Sequence, residues 1–281
     1  MRFVDITNDI AFRKIFGNEN RKEALISFLN AVLLLQDAHQ IVDVTILNPY
    51  QLPALKSGKV TIVDVKARDQ SGRDYIVEMQ VAKPDGFNKR VLYYAANSYS
   101  SQIERGDLYE KLNPVFFIGI LDFSITKNTN YISRHLIVDV ETGENLLSDI
   151  EFNFIELPKF NKKENELDTI IDQWIYFIKN AESLEVIPEN VTDKGLKIAY
   201  QNAERYNWSK QELEAYNNIF IREQDDRGRM ALAIREGIRE GIQENKKEIA
   251  TNLLKAGISV EIAAQSTGLT IAEVQRLQSQ L

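Results

Sequence analysis

Two carboxylates set inside apolar runs constrain this chain more than any other feature. Asp64 lies within Thr61-Ile-Val-Asp-Val-Lys-Ala67, and Glu78 within Tyr75-Ile-Val-Glu-Met-Gln-Val81. Both runs have strand character. The connector Arg68-Asp-Gln-Ser-Gly-Arg73 has hairpin chemistry, with Gly72 available for positive φ. A carboxylate among core residues is costly unless a partner or a cation compensates it. Glu78 and Gln80 are two apart and share one side of their strand, and Asp64 on the neighbouring strand can reach the same side. Two carboxylates and an amide on adjacent strands suit a Mg²⁺ site. The spacing also leaves open that these acids pair with Lys66, Lys83 or Arg90 as ordinary sheet-surface charges.

Composition narrows the chemistry. The chain has 281 residues, of which 44% are hydrophobic, with 13 Phe, 11 Tyr and 2 Trp, enough for a sizeable core. The absence of cysteine excludes disulfides, thiolate zinc sites and a Cys nucleophile. His39 and His135 are the only histidines, so a metal site would use carboxylates, which favour hard cations such as Mg²⁺ or Mn²⁺. The net charge is −7, but unevenly spread: residues 1–163 carry 20 Lys and Arg against 21 Asp and Glu, and residues 164–281 carry 14 against 20. A local basic groove in the first part is compatible with that balance. No long apolar segment follows the N-terminus, and the longest apolar run, near Ala31–Leu35, is too short to span a bilayer. The expectation is a cytoplasmic protein without a membrane segment.

The chain reads as an α/β domain over residues 1–160, a helical extension over 161–224, and a helical repeat with an interaction region over 225–281. Asn8 to Leu35 predicts two helices around a Gly17–Asn20 turn, with Thr7 or Asn8 as cap. Strands are expected at Ile41–Leu47, Val60–Ala67, Asp74–Val81, Pro114–Phe123, Tyr131–Val140 and Ile150–Leu157. The run at Pro114 is apolar enough for a central, doubly covered strand. Asn88–Glu104 predicts a Tyr-rich helix on which Arg90, Tyr94, Asn97 and Ser101 share a face. Most of its tyrosines are expected in the core, and Arg90 at the site.

Four stretches in order give a more specific reading. They are Asn8-Asp-Ile-Ala-Phe-Arg-Lys-Ile-Phe-Gly17, Asp64 with Glu78-x-Gln80, Arg90-Val-Leu-Tyr-Tyr-Ala95 running to Tyr99-Ser-Ser-Gln102 and Gly106, and Glu156-Leu-Pro-Lys-Phe160. Together they resemble the PD-(D/E)XK nuclease superfamily and, within it, the Rpn group of recombination-promoting nucleases, also called PD-(D/E)XK nuclease family transposases. The resemblance implies a restriction-endonuclease-like core with a mixed sheet flanked by helices. It implies a Mg²⁺-dependent DNA endonuclease, with Mn²⁺ or Ca²⁺ as in-vitro substitutes, acting in recombination, mobile elements or phage defence. Asp64, Glu78 and the Met79 backbone carbonyl would ligate the metal. Asp9 would complete the shell through water, unless it is simply an acid at a helix N-terminus. Gln80 stands where the superfamily carries Lys. It can orient water but supplies no charge, which leaves Lys66 or Arg90 for that part, with Tyr94 beside the DNA. Pro158, Lys159 and Phe160 would mark the domain edge.

The C-terminal part carries a period-four repeat, Arg235-Glu-Gly-Ile-Arg-Glu-Gly-Ile-Gln243, on a charged helix over Asp225–Lys247. It sets Ile234, Ile238 and Ile242 on one stripe and Gly237 and Gly241 on another, which suits close helix packing within or between chains. Residues 248–281 predict three short helices around Ile249, Leu253, Leu254, Ile258, Ile262, Ala263, Leu269, Ile271, Val274 and Leu277. Gly268 would stand at a helix-turn-helix-like turn and Thr270 at a cap. The second helix offers only Arg276 to DNA, so a homodimer through these helices is the first expectation. The resemblance adds a short self-fragment starting at Met230. The rival to the nuclease is a non-catalytic module binding protein or DNA through these helices.

Overall fold

The computed structural model describes residues 2–51 and 61–281. In chain order the elements are α1 (Asp9–Phe16), α2 (Glu23–Val32), β1 (Val44–Leu47), β2 (Tyr50–Gln51), β3 (Thr61–Ile62), β4 (Val65–Asp69), β5 (Asp74–Gln80), α3 (Phe87–Ser100), β6 (Val115–Leu121), β7 (Ile132–Ile137), β8 (Leu147–Glu156), α4 (Ile170–Asn180), α5 (Lys194–Ala203), α6 (Lys210–Lys255), α7 (Val260–Thr267) and α8 (Ile271–Gln278), with short 3₁₀ turns between. Two compact units result, Met1–Ile219 and Phe220–Leu281. Among the described residues no helix is long and apolar enough to cross a membrane.

The first unit is built on a mixed six-stranded sheet in the order β1-β4-β5-β6-β8-β7. The hairpin β4–β5 is antiparallel, as the Gly72 turn requires, and Gly72 takes φ +89°. The β5–α3–β6 crossover makes the next pair parallel, and β6 is parallel to β8. Central β6 is flanked on both sides and buried over most of its length, as its unbroken apolar run requires. β5 sorts its side chains by parity. Tyr75, Val77 and Met79 enter a core formed with α1, α2, α4 and α5, and Ile76 enters a second core with Phe87, Val91 and Ala95 of α3.

Packing of aromatics fixes α1. Asn8 caps it, its side chain accepting from the Ile10 N–H at 3.0 Å. Phe12 and Phe16 pack at 4.7 Å between ring centroids. Phe16 meets Phe28 of α2 at 5.1 Å and Trp174 of α4 at 5.6 Å. Each such ring buried contributes about 1.5–3 kcal/mol. The opposite flank of α1 is thereby left to Asp9 and Arg13, one turn apart.

Several expectations are corrected. The strand expected over Val60–Ala67 is interrupted: β3 ends at Ile62 and β4 begins at Val65, leaving Val63 and Asp64 between them, while Val60 lies outside the described residues. The strand expected from Ile41 starts at Val44, and the one expected to reach Val140 ends at Ile137. The helical extension packs into the first core through Trp174, Phe177, Tyr200 and Trp208. Phe160 is buried in that core, so the chain passes through Pro158–Phe160 without leaving the compact unit.

In the second unit, the first of the three short helices expected after residue 247 is the end of α6. The helix runs on until Gly257 turns the chain at φ +81°. Ala250, Ala263, Ala264, Leu269 and Val274 form the small core, with Leu253, Leu254, Val260 and Leu277 against it. Ile249, Ile258, Ile262 and Ile271, expected inside, are exposed. Gly268 turns the chain at φ +68°, and Thr270 caps α8 reciprocally with Glu273.

Candidate active site

The interruption at Asp64 builds the site. The last register pair of the hairpin is Val65 with Val77, so Met79 has no strand partner on that side. Its N–H donates instead to Asp64 Oδ2 at 2.9 Å, and the Asp64 N–H donates to Glu78 Oε1 at 3.1 Å. Each carboxylate thus holds the backbone next to the other. Glu78 Oε2 accepts from Gln80 Nε2 at 3.1 Å, so the amide stands beside the acid as their spacing requires.

Glu78 is only 3% exposed. Burial, and then the charge of Asp64, push its carboxyl up to about 8, against the opposing pull of Arg90, the Asp64 N–H and Arg13. Across β6, Glu78 stands in register with Gly119. A Cβ there would lie 2.9 Å from Phe154 Cδ1, so only glycine lets that ring pack beneath the acid. A narrow cleft lined by Glu78, Gln80, Arg90, Val91, Tyr94 and Gly119 opens at this point.

Helix α1 supplies what strand patterning does not predict. Arg13 donates to Asp64 Oδ1 from Nη2 at 2.9 Å and from Nε at 3.3 Å. Burial opposes the Arg13 charge, and the bond to Asp64 with the charges of Asp64, Asp9 and Glu78 outweighs it. Asp9 is raised by burial and then by Asp64, and lowered by Arg13. All three acids therefore lie within electrostatic range of one guanidinium. Asp9 and Arg13 are i and i+4 on one helix, and that spacing is the signal in the sequence that points from Asp9 to Arg13.

Residues 6–231 match the family described as PD-(D/E)XK nuclease family transposase. The chain belongs to that family. No curated protein and no solved structure matches the chain. The match supports a nuclease-type function for the domain, and the sheet order and helix placement are those of a PD-(D/E)XK-like α/β fold.

The other candidate site residues fall into two groups. Tyr94 is buried on the site side of α3. Arg90 donates from Nε to its hydroxyl at 2.7 Å, lies over its ring at 5.1 Å from the centroid, and is near enough to lower Glu78. Lys66 is not brought to the carboxylate pair: its ammonium is 3.8 Å from Asp74 Oδ2. Burial lowers its pKa, as does Arg68, and Asp74 opposes them. Lys66 pairs in register with Ile76, and its ammonium stands by Asp74, so of the two charge candidates it is Arg90 that the structure places against Glu78. Among the described residues no group of three or more Asp, Glu, His or Cys converges to hold a metal. The carboxylates of Asp64 and Glu78 lie close enough for the charge of one to raise the other, and oxygen donors of this kind fit a hard divalent cation better than a soft one.

Proposed function

We propose that this chain is a Mg²⁺-dependent DNA endonuclease acting in recombination or mobile-element biology. The observation that carries the reading is the reciprocal clasp: Asp64 N–H to Glu78 Oε1 at 3.1 Å and Met79 N–H to Asp64 Oδ2 at 2.9 Å. The two carboxyls are held so close, and Glu78 so deeply, that Glu78 is kept protonated, a cost to its ionised form that a cation would offset. Asp64, Glu78 and the Met79 carbonyl would hold the cation, with Asp9 acting through water. When bound, such a cation neutralises charge at the scissile phosphate and acidifies water. The chain's own groups do the rest. Gln80, tied to Glu78 through Nε2, keeps its carbonyl oxygen to orient the attacking water. Arg13 and Arg90 supply the positive charge that the superfamily's Lys would bring, and Tyr94 fixes Arg90 through its hydroxyl.

The test is cutting of supercoiled plasmid by the full chain in Mg²⁺ against EDTA, for wild type and for Asp64→Asn. Asn keeps an oxygen for the Met79 N–H and removes the charge. Cutting that depends on Mg²⁺ and is abolished in Asp64→Asn is the expected result. Undiminished cutting by the variant sinks the assignment.

A homodimer through the C-terminal helices belongs to this proposal. Ile234, Ile238 and Ile242 of α6 are each more than half exposed, and a Cβ built on Gly237 or Gly241 meets nothing within 4 Å. An antiparallel pairing centred between Arg239 and Glu240 sets Ile238 against Gly241, Ile242 against Gly237 and Arg235 against Glu244 of a second copy.

A further inference from the structure

The first unit carries a large groove that shares Arg13 with the carboxylate pair. It is an open groove of about 1000 Å³ that runs from Arg13 of α1 and Gly17 at its end, past Asn18 and Arg21, to the end of α5 and Tyr206. That volume is at the upper end of small-molecule pockets. Arg13 is the link, since it lines the groove and holds Asp64.

The lining is polar and its acids are already engaged. Glu204 is paired with Arg2, Glu212 with Lys14 at 2.6 Å, and Glu19 accepts from the Ile46 N–H at 2.8 Å. The guanidinium has five N–H donors. Arg13 spends two on Asp64, and Arg21 spends one on Asn202 Oδ1 at 2.5 Å. Asn202 is 5% exposed in the groove wall, and its Nδ2 has no hydrogen-bond partner. Tyr206 is 82% exposed on the same groove, a ring that the protein itself leaves open to water.

We propose that this groove binds a single-stranded segment of nucleic acid that leads to the Asp64–Glu78 pair. Arg13 and Arg21 meet its phosphates, Tyr206 stacks on a base, and the amides of Asn18 and Gln201 meet base edges. The choice of single strand over duplex follows from Tyr206. Unpaired bases offer π-faces to an exposed aromatic ring, whereas a duplex offers phosphates and groove edges. The inference deepens the nuclease reading and rests on it for the role of the carboxylates. The substrate class it names is DNA with a single-stranded flap, gap or end.

The experiment is fluorescence polarisation of the full chain in EDTA with a labelled thymidine homo-oligomer and with a duplex of the same length. Wild type should prefer the oligomer. Tyr206→Ala should weaken it roughly five- to a hundredfold, and Tyr206→Phe should restore it, because stacking needs the ring and not the hydroxyl. Arg21→Ala should lower the salt slope of log affinity by about 0.7. Wild-type binding by Tyr206→Ala, or a duplex bound as tightly and as Tyr206-dependently as the oligomer, overturns the proposal. Plasmid cutting is scored separately. Asp64-dependent cutting with Tyr206-independent oligomer binding removes the groove and leaves the nuclease. Tyr206-dependent binding without any cutting does the reverse.

Discussion

Replacing Glu78 by Gln should change how stability depends on pH. A carboxyl with an ordinary value of 4.5 is pushed up to about 8 in the fold, by burial and by Asp64. The folded chain therefore keeps a proton that the unfolded chain releases above about pH 4.5. The stability linked to that proton is fully present below the ordinary value and is lost as pH rises through the folded one. Each pH step in that window removes at most about 1.4 kcal/mol. From about pH 5 to about pH 8 the ceiling is roughly 4 kcal/mol, a large share of a typical domain's stability. The amide introduced by Glu78→Gln carries no such proton, and its oxygen can still accept from the Asp64 N–H. Urea unfolding in EDTA across this range, wild type beside Glu78→Gln, isolates the effect because the other titrating groups are common to both. Wild type should lose stability relative to the variant as pH rises, and Mg²⁺ added near the upper end should restore wild type more than the variant. Parallel loss in both proteins would show that Glu78 holds no displaced proton and would refute the electrostatic account of the pair.

Gln80→Ala should slow plasmid cutting while leaving Mg²⁺ affinity, read by calorimetry, mostly unchanged, and Gln80→Lys should keep activity. A loss of metal affinity as large as that of Glu78→Ala would reassign Gln80 to the metal. For the C-terminal helices, light scattering of the full chain should give the mass of a dimer, and Ile238→Glu should give a monomer, because it places a charge against Gly241 of the second copy. The fragment from Met230 to Leu281, added in excess, should enter mixed dimers and lower cutting; the full chain running as a monomer would remove both the dimer and the fragment's route to inhibition.

What is legible in the chain divides by the range of the interaction. The α1 cap at Asn8, the Gly72 hairpin and the central strand at Val115–Leu121 depend on neighbours in sequence, and local pattern is enough to place them. Glu78 and Gln80 share a side for the same reason. The interruption at Asp64 is not legible, because Val-Asp-Val-Lys-Ala alternates just as an unbroken strand does. Nothing local shows that Asp64 leaves the ladder to take the Met79 N–H. Arg13 escapes a reading of the strands for a related reason: it meets Asp64 across 51 residues of sequence, and its helix is held there by long-range core packing that includes Phe16, Phe28 and Trp174. In the second unit the bulky residues mislead, since Ile249, Ile262 and Ile271, one on each of α6, α7 and α8, face solvent, while Ala250, Ala263 and Ala264 let the short helices close on one another. The acids can thus be named from the strands alone, but the cation that holds Asp64 comes from a helix whose position is set in the core. A substitution at Phe16 or Trp174, far from any phosphate, would therefore act on the site through Arg13 as well as on stability.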